Sequence, residues 1–152
     1  MSSFTLSRET TIDAPPERVH GILDDFRQWQ GWSPWEEIDP DLKRTYAGPA
    51  RGVGAHYAWK GNKKVGSGSM EITASTPERV EVDLTFIEPF KAENKAVFDL
   101  VPSGTGTRVV WTMTGERNLA VSLMGKLFLD RAIAKDFDRG LARLKGQAEA
   151  AA

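Results

Sequence analysis

Ile12-Asp13-Ala14-Pro15-Pro16-Glu17-Arg18-Val19 begins a segment that runs on through Ile22, Leu23, Phe26 and Trp29 and closes on Trp32-Ser33-Pro34-Trp35. Pro15 and Pro16 cannot continue a strand ladder, but their fixed φ suits the first turn of a helix, and Glu17 places negative charge at the positive helix end. A strand should therefore end near Ile12 and a short helix should start at the prolines. Val19, Ile22, Leu23 and Phe26 fall at i, i+3, i+4 and i+7, one apolar stripe, with Arg18, Asp24 and Asp25 expected in water. Gly31 and Pro34 end the helical region. Trp29, Trp32 and Trp35 then lie on a turn-rich segment, where large aromatics either pack on a core or mark a binding mouth.

Outward from this segment the pattern changes to period two. Phe4 to Ile12 reads as a strand, interrupted by Arg8 on the apolar parity, which predicts a bulge there because an unpaired buried guanidinium is costly. Six further runs follow: Lys43 to Ala47, Gly54 to Lys60, Val65 to Ala74, Arg79 to Ile87, Ala92 to Val101 and Thr107 to Gly115. The short connections Ser75-Thr76-Pro77-Glu78 and Pro102-Ser103-Gly104-Thr105-Gly106 favour hairpins, so the runs predict an antiparallel meander. Tyr57 and Trp59, Met70 and Ile72, Leu84 and Phe86, Phe98 and Leu100, and Trp111 and Met113 share one face. His56, Ser69, Glu71, Asp83, Lys95 and Arg108 fall on the other, as in a sheet with one wet side.

From Leu119 to about Ala148 there is no proline, and Ile133, Phe137, Leu141 and Leu144 recur at helical spacing. One long terminal helix must cover the sheet. With 152 residues and 40% hydrophobic content, a single domain over residues 1–152 is expected. A formal charge of -1 gives no electrostatic footprint for nucleic acid, and no membrane-length apolar run or signal segment appears, so membrane insertion is not expected and a cytoplasmic location is. The absence of cysteine removes disulfides and thiolate chemistry, and homodimerisation stays open.

The order strand, short helices, six strands and long helix resembles the START-like (SRPBCC) superfamily, specifically its polyketide cyclase/dehydrase and lipid-transport branch. Carrying the resemblance are the Asp13 to Val19 segment, Asp25-Phe26-Arg27-Gln28-Trp29, Trp32-Ser33-Pro34-Trp35, Val53-Gly54-Ala55, Trp59-Lys60-Gly61, Gly66-Ser67-Gly68-Ser69-Met70, Pro89-Phe90 and Trp111-Thr112-Met113-Thr114-Gly115. It implies an α+β helix-grip fold: a curved antiparallel sheet of about seven strands wrapped around the C-terminal helix, with an apolar cavity between them. Families of this fold bind lipids, sterols or polyketide intermediates, and some catalyse cyclisation; fold alone does not choose.

Tyr57, Trp59, Met70, Phe86, Phe98, Trp111 and Met113, with Trp35, are the expected cavity lining, against the plainer reading that they fill a core. Asn94 shares the parity of Phe98 and is the inward polar candidate. Leu123 and Leu127, beside Met124 and Phe128, are read as contacts to the same core, with a gate over the cavity or a dimer patch as rival readings. His20 and His56 sit on different elements and are expected at the surface; no metal site or cofactor is expected. Glu36, Glu37, Asp39 and Asp41 read as a solvated loop. Gly66-Ser67-Gly68-Ser69 lies inside a strand and so is neither a phosphate loop nor a nucleophile elbow; Gly66 and Gly68 instead mark a bend or a crossing side chain. The leading function is non-covalent binding of a lipid-like or polyketide-like molecule. A cofactor-free cyclase or dehydratase is the enzyme alternative, with no catalytic residue assigned, and a protein-interaction module is the third.

Overall fold

The computed structural model describes residues 2–36, 39–62, 66–88, 91–117 and 119–150, and their side chains except at 2–3 and 116–132. The chain forms β1 (Ser2–Ile12), α1 (Pro16–Leu23), a 3-10 turn (Gln28–Gly31), then β2 (Lys43–Ala47), β3 (His56–Lys60), β4 (Ser67–Thr76), β5 (Arg79–Glu88), β6 (Ala92–Ser103), β7 (Gly106–Arg117) and α2 (Leu119–Ala150). The strands make one antiparallel sheet in the order β1-β7-β6-β5-β4-β3-β2. This is the helix-grip arrangement, with β1 and β2 as edges and α1 with the tryptophan segment connecting them.

Several local departures have simple causes. Gly54 takes φ +93°, so β3 begins only at His56. Gly104, at φ +60°, and Thr105 make a two-residue hairpin, which carries β6 and β7 further than the apolar pattern suggests. The bulge expected at Arg8 is absent: β1 pairs with β7 in unbroken register, Arg8 opposite Trp111. Because β1 is an edge strand, Arg8 keeps its inward parity yet reaches water, where it lies 3.8 Å from Asp138 of α2. The bulges occur in β4, at Ser67/Gly68 and Ile72/Ala74, where they bend the strand. Gly68 serves a crossing side chain, since a Cβ there would stand 2.7 Å from the Trp59 ring. Gly66, at φ +69°, serves the preceding turn instead.

α1 starts at Pro16 as expected and buries Val19, Ile22 and Leu23. It stops at Leu23, so Phe26 reaches the core from the following turn. Asp24, expected in water, is buried at 6% exposure, with Arg51 Nε 3.4 Å from Oδ1. Arg18 is half-buried and donates to the Ala148 carbonyl at 3.4 Å. The outer face of the sheet carries cross-strand pairs, Arg79 with Asp99 at 2.8 Å and Lys95 with Glu81 at 3.3 Å. Their exposure limits each to a fraction of a kcal/mol, on the order of 0.2–1 kcal/mol.

The inner face meets α2 through Ala134, Phe137, Leu141, Leu144 and Ala148, a stripe with coiled-coil spacing. Phe137 stacks on Trp111 with ring centroids 3.9 Å apart and planes 3° from parallel. Gly140, one turn further on, makes that approach possible: a Cβ there would lie 2.9 Å from Pro34 Cδ and 3.3 Å from Trp111. In an unconstrained helix Gly→Ala stabilises by about 1 kcal/mol. Here Gly140→Ala should instead destabilise by roughly 1–2 kcal/mol in urea unfolding, because overpacking outweighs propensity; a gain in stability would show that α2 does not depend on this close contact.

Candidate functional site

Between the sheet and α2 lies a cavity of about 390 Å³. Of the side chains expected to line it, Trp35, Tyr57, Trp59, Met70, Phe86, Asn94, Trp111 and Met113 do so. Phe98 does not. It is fully buried one pleat away from the cavity, edge-on to Trp29 and Trp32 and stacked against Trp111, and so belongs to the packed core. The side chains of Leu123 and Leu127, like those of Met124 and Phe128, lie outside the described residues.

The wall also contains residues beyond the expected lining. Leu84, Ala92 and Ala96 come from the inner face that alternation identifies, where the two alanines leave volume that larger side chains would fill. Phe4 and Ile133 enter from β1 and α2, and Trp29, Ser33 and Glu36 from the segment after α1. Trp29 is held in place by donating its indole N–H to the Leu23 carbonyl at 2.9 Å. Of the three tryptophans, Trp29 and Trp35 border the cavity, Trp29 buried and Trp35 half-buried, while Trp32 is fully buried in the core behind them.

The main correction concerns Glu36. It is not part of a solvated loop but is 8% exposed and on the cavity wall. Its Oε1 accepts from the Tyr57 hydroxyl at 3.0 Å and its Oε2 from Arg44 Nε at 2.7 Å; Arg44 Nη2 also donates to the Glu36 carbonyl at 3.3 Å. A buried carboxylate is tolerable only with such partners. Asp39 is likewise buried and accepts from the backbone N–H groups of Asp41 and Asn62, each at 2.8 Å, which fixes the loop leading into β2. Burial raises the Tyr57 phenol well above the ordinary tyrosine range, and the neighbouring Glu36 charge raises it further. Arg44 is lowered by burial, but its hydrogen bond to Glu36 and that carboxylate's charge outweigh the effect and leave it raised. Tyr57 is therefore a neutral donor and Glu36 an acceptor beside the apolar space.

A signal for this cluster exists in the sequence. Leu42, Arg44 and Tyr46 alternate on the inner parity of β2, and an inward arginine needs an acid, which Glu36 supplies eight residues earlier. Asn94 faces the cavity as expected; its amide lies 3.9 Å from the Met113 sulfur, and its Oδ1 is buried without a hydrogen-bond partner. Glu71, on the outer parity of β4, is exposed. His20 is not a free surface histidine: its Nε2 is 2.9 Å from Ser75 Oγ, and Asp24 lies 3.8 Å from Nδ1. That contact is remote from the cavity wall. Among the described residues no three His, Cys, Asp or Glu side chains converge as a metal would require, and no helix is long and apolar enough to cross a membrane.

Residues 3–149 match the model of the family described as polyketide cyclase / dehydrase and lipid transport, and the chain belongs to that family within the START-like superfamily. Its structural neighbours include the di-domain ARO/CYC BexL from the BE-7585A biosynthetic pathway, with TM-score 0.72 and 18% identity over 97% of this chain and 50% of that one. The protein TTHA0849 from Thermus thermophilus is similar at TM-score 0.69 and 20% identity, over 98% of this chain and 99% of that one. Ara h 8.0201 is similar at TM-score 0.67 and 11% identity, over 97% and 98% of the two chains. At these identities the likenesses establish the fold. No curated protein matches the sequence significantly. Family and fold together support a hydrophobic ligand-binding role.

Tyr57 gives the cluster a measurable signature. A phenol raised in the folded state contributes stability below the unfolded pKa of about 10 and loses it as pH rises beyond that value. Of the two tyrosines, Tyr57 should not ionise until the protein unfolds in alkali, as read by near-ultraviolet absorbance. Tyr57→Phe should lose about 1.5–3 kcal/mol at neutral pH, the range for a hydrogen bond to a charged group, and its stability should fall less steeply in alkali. Ionisation of both phenols in the still-folded protein would contradict the geometry.

Proposed function

We propose that the chain binds an apolar small molecule, lipid-like or polyketide-like, in the cavity between the sheet and α2, as one cytoplasmic domain that needs no cofactor. The observation that carries this reading is the hollow itself. Eight of the predicted side chains line a cavity of about 390 Å³, within the size range of small-molecule sites. Affinity would come mainly from burial, at about 25 cal/mol per Å² of apolar surface before association costs, with Glu36, Tyr57 and Asn94 setting orientation.

The enzyme reading gains one specific support. Tyr57 and Glu36 form a neutral donor and a carboxylate acceptor on the wall of a space able to hold a flexible chain folded, which is the equipment a cyclisation or dehydration needs. Turnover by this pair would be lost in Tyr57→Phe with binding retained, whereas a pure binder would show no product in either protein. The interaction-module reading rests on Met124 and Phe128 and draws nothing from the described side chains.

Two substitutions separate a ligand site from a packed core. Ala92→Phe, at a half-buried wall position, should fill part of the cavity and weaken an apolar fluorescent probe by about tenfold, equivalent to about 1.4 kcal/mol, with little change in melting temperature. Trp111→Phe should keep the fold while altering the probe's affinity and the quenching of tryptophan emission; His56→Ala, on the outer parity, should do neither. Full probe affinity in a folded Ala92→Phe protein would remove the cavity as the site.

A further inference from the structure

The chemistry of the wall discriminates among apolar ligands by the charge of their polar end. Among the described residues two carboxylates line the cavity, Glu36 deep in the wall and Glu88 at the exposed end of β5, and no lysine, arginine or histidine does. The groups that meet Glu36 are Arg44 from β2 and Tyr57 from β3, with Tyr46 packed behind Tyr57. Arg44 does not line the cavity, and two of its nitrogens are committed to Glu36. The Tyr57 proton is likewise directed at Glu36. The other polar groups on the described wall, Ser33, Asn94 and the indoles of Trp29, Trp35, Trp59 and Trp111, are neutral.

We infer that the cavity accepts uncharged or cationic amphiphiles and excludes those carrying a free carboxylate. The inference rests on the ligand-binding reading above and narrows its ligand class. A neutral hydroxyl or carbonyl at the polar end can hydrogen-bond to Ser33 or Asn94, and a hydroxyl can also donate to the Tyr57 oxygen, without a counter-ion. A carboxylate would enter a low-dielectric space where no described wall residue is a cation and where Arg44, behind the wall, is already paired with Glu36, so it could bind only after taking up a proton. Carbonyl-rich polyketide-like chains and fatty alcohols satisfy this rule, and ionised fatty acids do not.

Displacement of an apolar fluorescent probe by 1-octanol, octylamine and octanoate tests it. Octanol and octylamine should displace the probe at neutral pH, and octanoate should be weaker by at least about tenfold. If only the protonated acid enters, its apparent Kd should rise about tenfold per pH unit between roughly pH 6 and 8 while that of octanol stays level. Glu36→Gln and Glu88→Gln, singly or together, should narrow the octanoate-to-octanol ratio several-fold. Circular dichroism establishes which variants fold, and the pH slope of the unaltered protein needs none of them. Octanoate matching octanol at neutral pH with no pH dependence would overturn the inference and leave ligand binding intact. So would a ratio unchanged in a folded protein lacking both carboxylates. Failure of all three compounds to displace the probe would remove the ligand-binding reading, and the inference with it.

Discussion

The face-to-face contact of Trp111 with Phe137 determines where everything else in this protein can sit. The two rings join the centre of β7 to the middle of α2 at 3.9 Å, and Trp32, Trp35 and Phe98 meet the same indole from its edges and other face. Trp111 is 1% exposed although it also borders the cavity. Aromatic pairs of this kind add about 0.5–1.5 kcal/mol each beyond the area they bury, and Trp111 takes part in four. Gly140 and Pro34 set the spacing, so the helix can approach only as closely as an absent Cβ permits.

From that contact the inner face divides along the strands. On one side, Val80, Val82, Phe98, Leu100 and Val109 are fully or almost fully buried in the same core as Val19, Ile22 and Leu23 of α1. On the other, one or two pleats along, Ala96, Asn94, Leu84, Phe86 and Met113 border open space. The strands are continuous across this boundary; what changes is the cover above them. α1 and the tryptophan segment are too short to roof the whole sheet, and Ala92 and Ala96 are too small to fill what is left. The cavity follows from element lengths and side-chain volumes, with no special backbone strain: among the described residues, every positive φ belongs to a glycine.

Much of this is legible in the sequence. Period-two alternation identifies the inner face, and two prolines with the stripe from Val19 to Leu23 place α1. Parity, however, reports the face of a sheet and not the position along it. Phe98 and Ala96 share a parity, and only the landing place of α1 assigns one to core and the other to cavity. Arg8 defeats the pattern because an edge strand lets an inward-pointing arginine escape to water beside Asp138, a possibility open only once the strand order is known. Glu36 defeats it for the opposite reason. In a run with Glu37, Asp39 and Asp41 it looks solvated, and its partners come from β2 and β3, which reach it through the pairing of Tyr46 with Tyr57.

Glu36 also shows why the hollow end of the grip differs in kind from the packed end. A buried carboxylate with an arginine and a phenol is seldom the most stabilising choice, since well-packed apolar residues of similar volume often do as well or better by about 1–4 kcal/mol. The packed end closes mainly with aliphatic and aromatic side chains. The cluster is held from two strands and by both carboxylate oxygens, so it is a constructed feature and not a loop acid trapped by chance. A polar group maintained at such a cost, beside space the fold leaves empty, is best accounted for by what occupies that space. On the proposed reading the same cluster orients a neutral ligand and, with Arg44 already paired to Glu36, offers no free counter-ion to an anionic one.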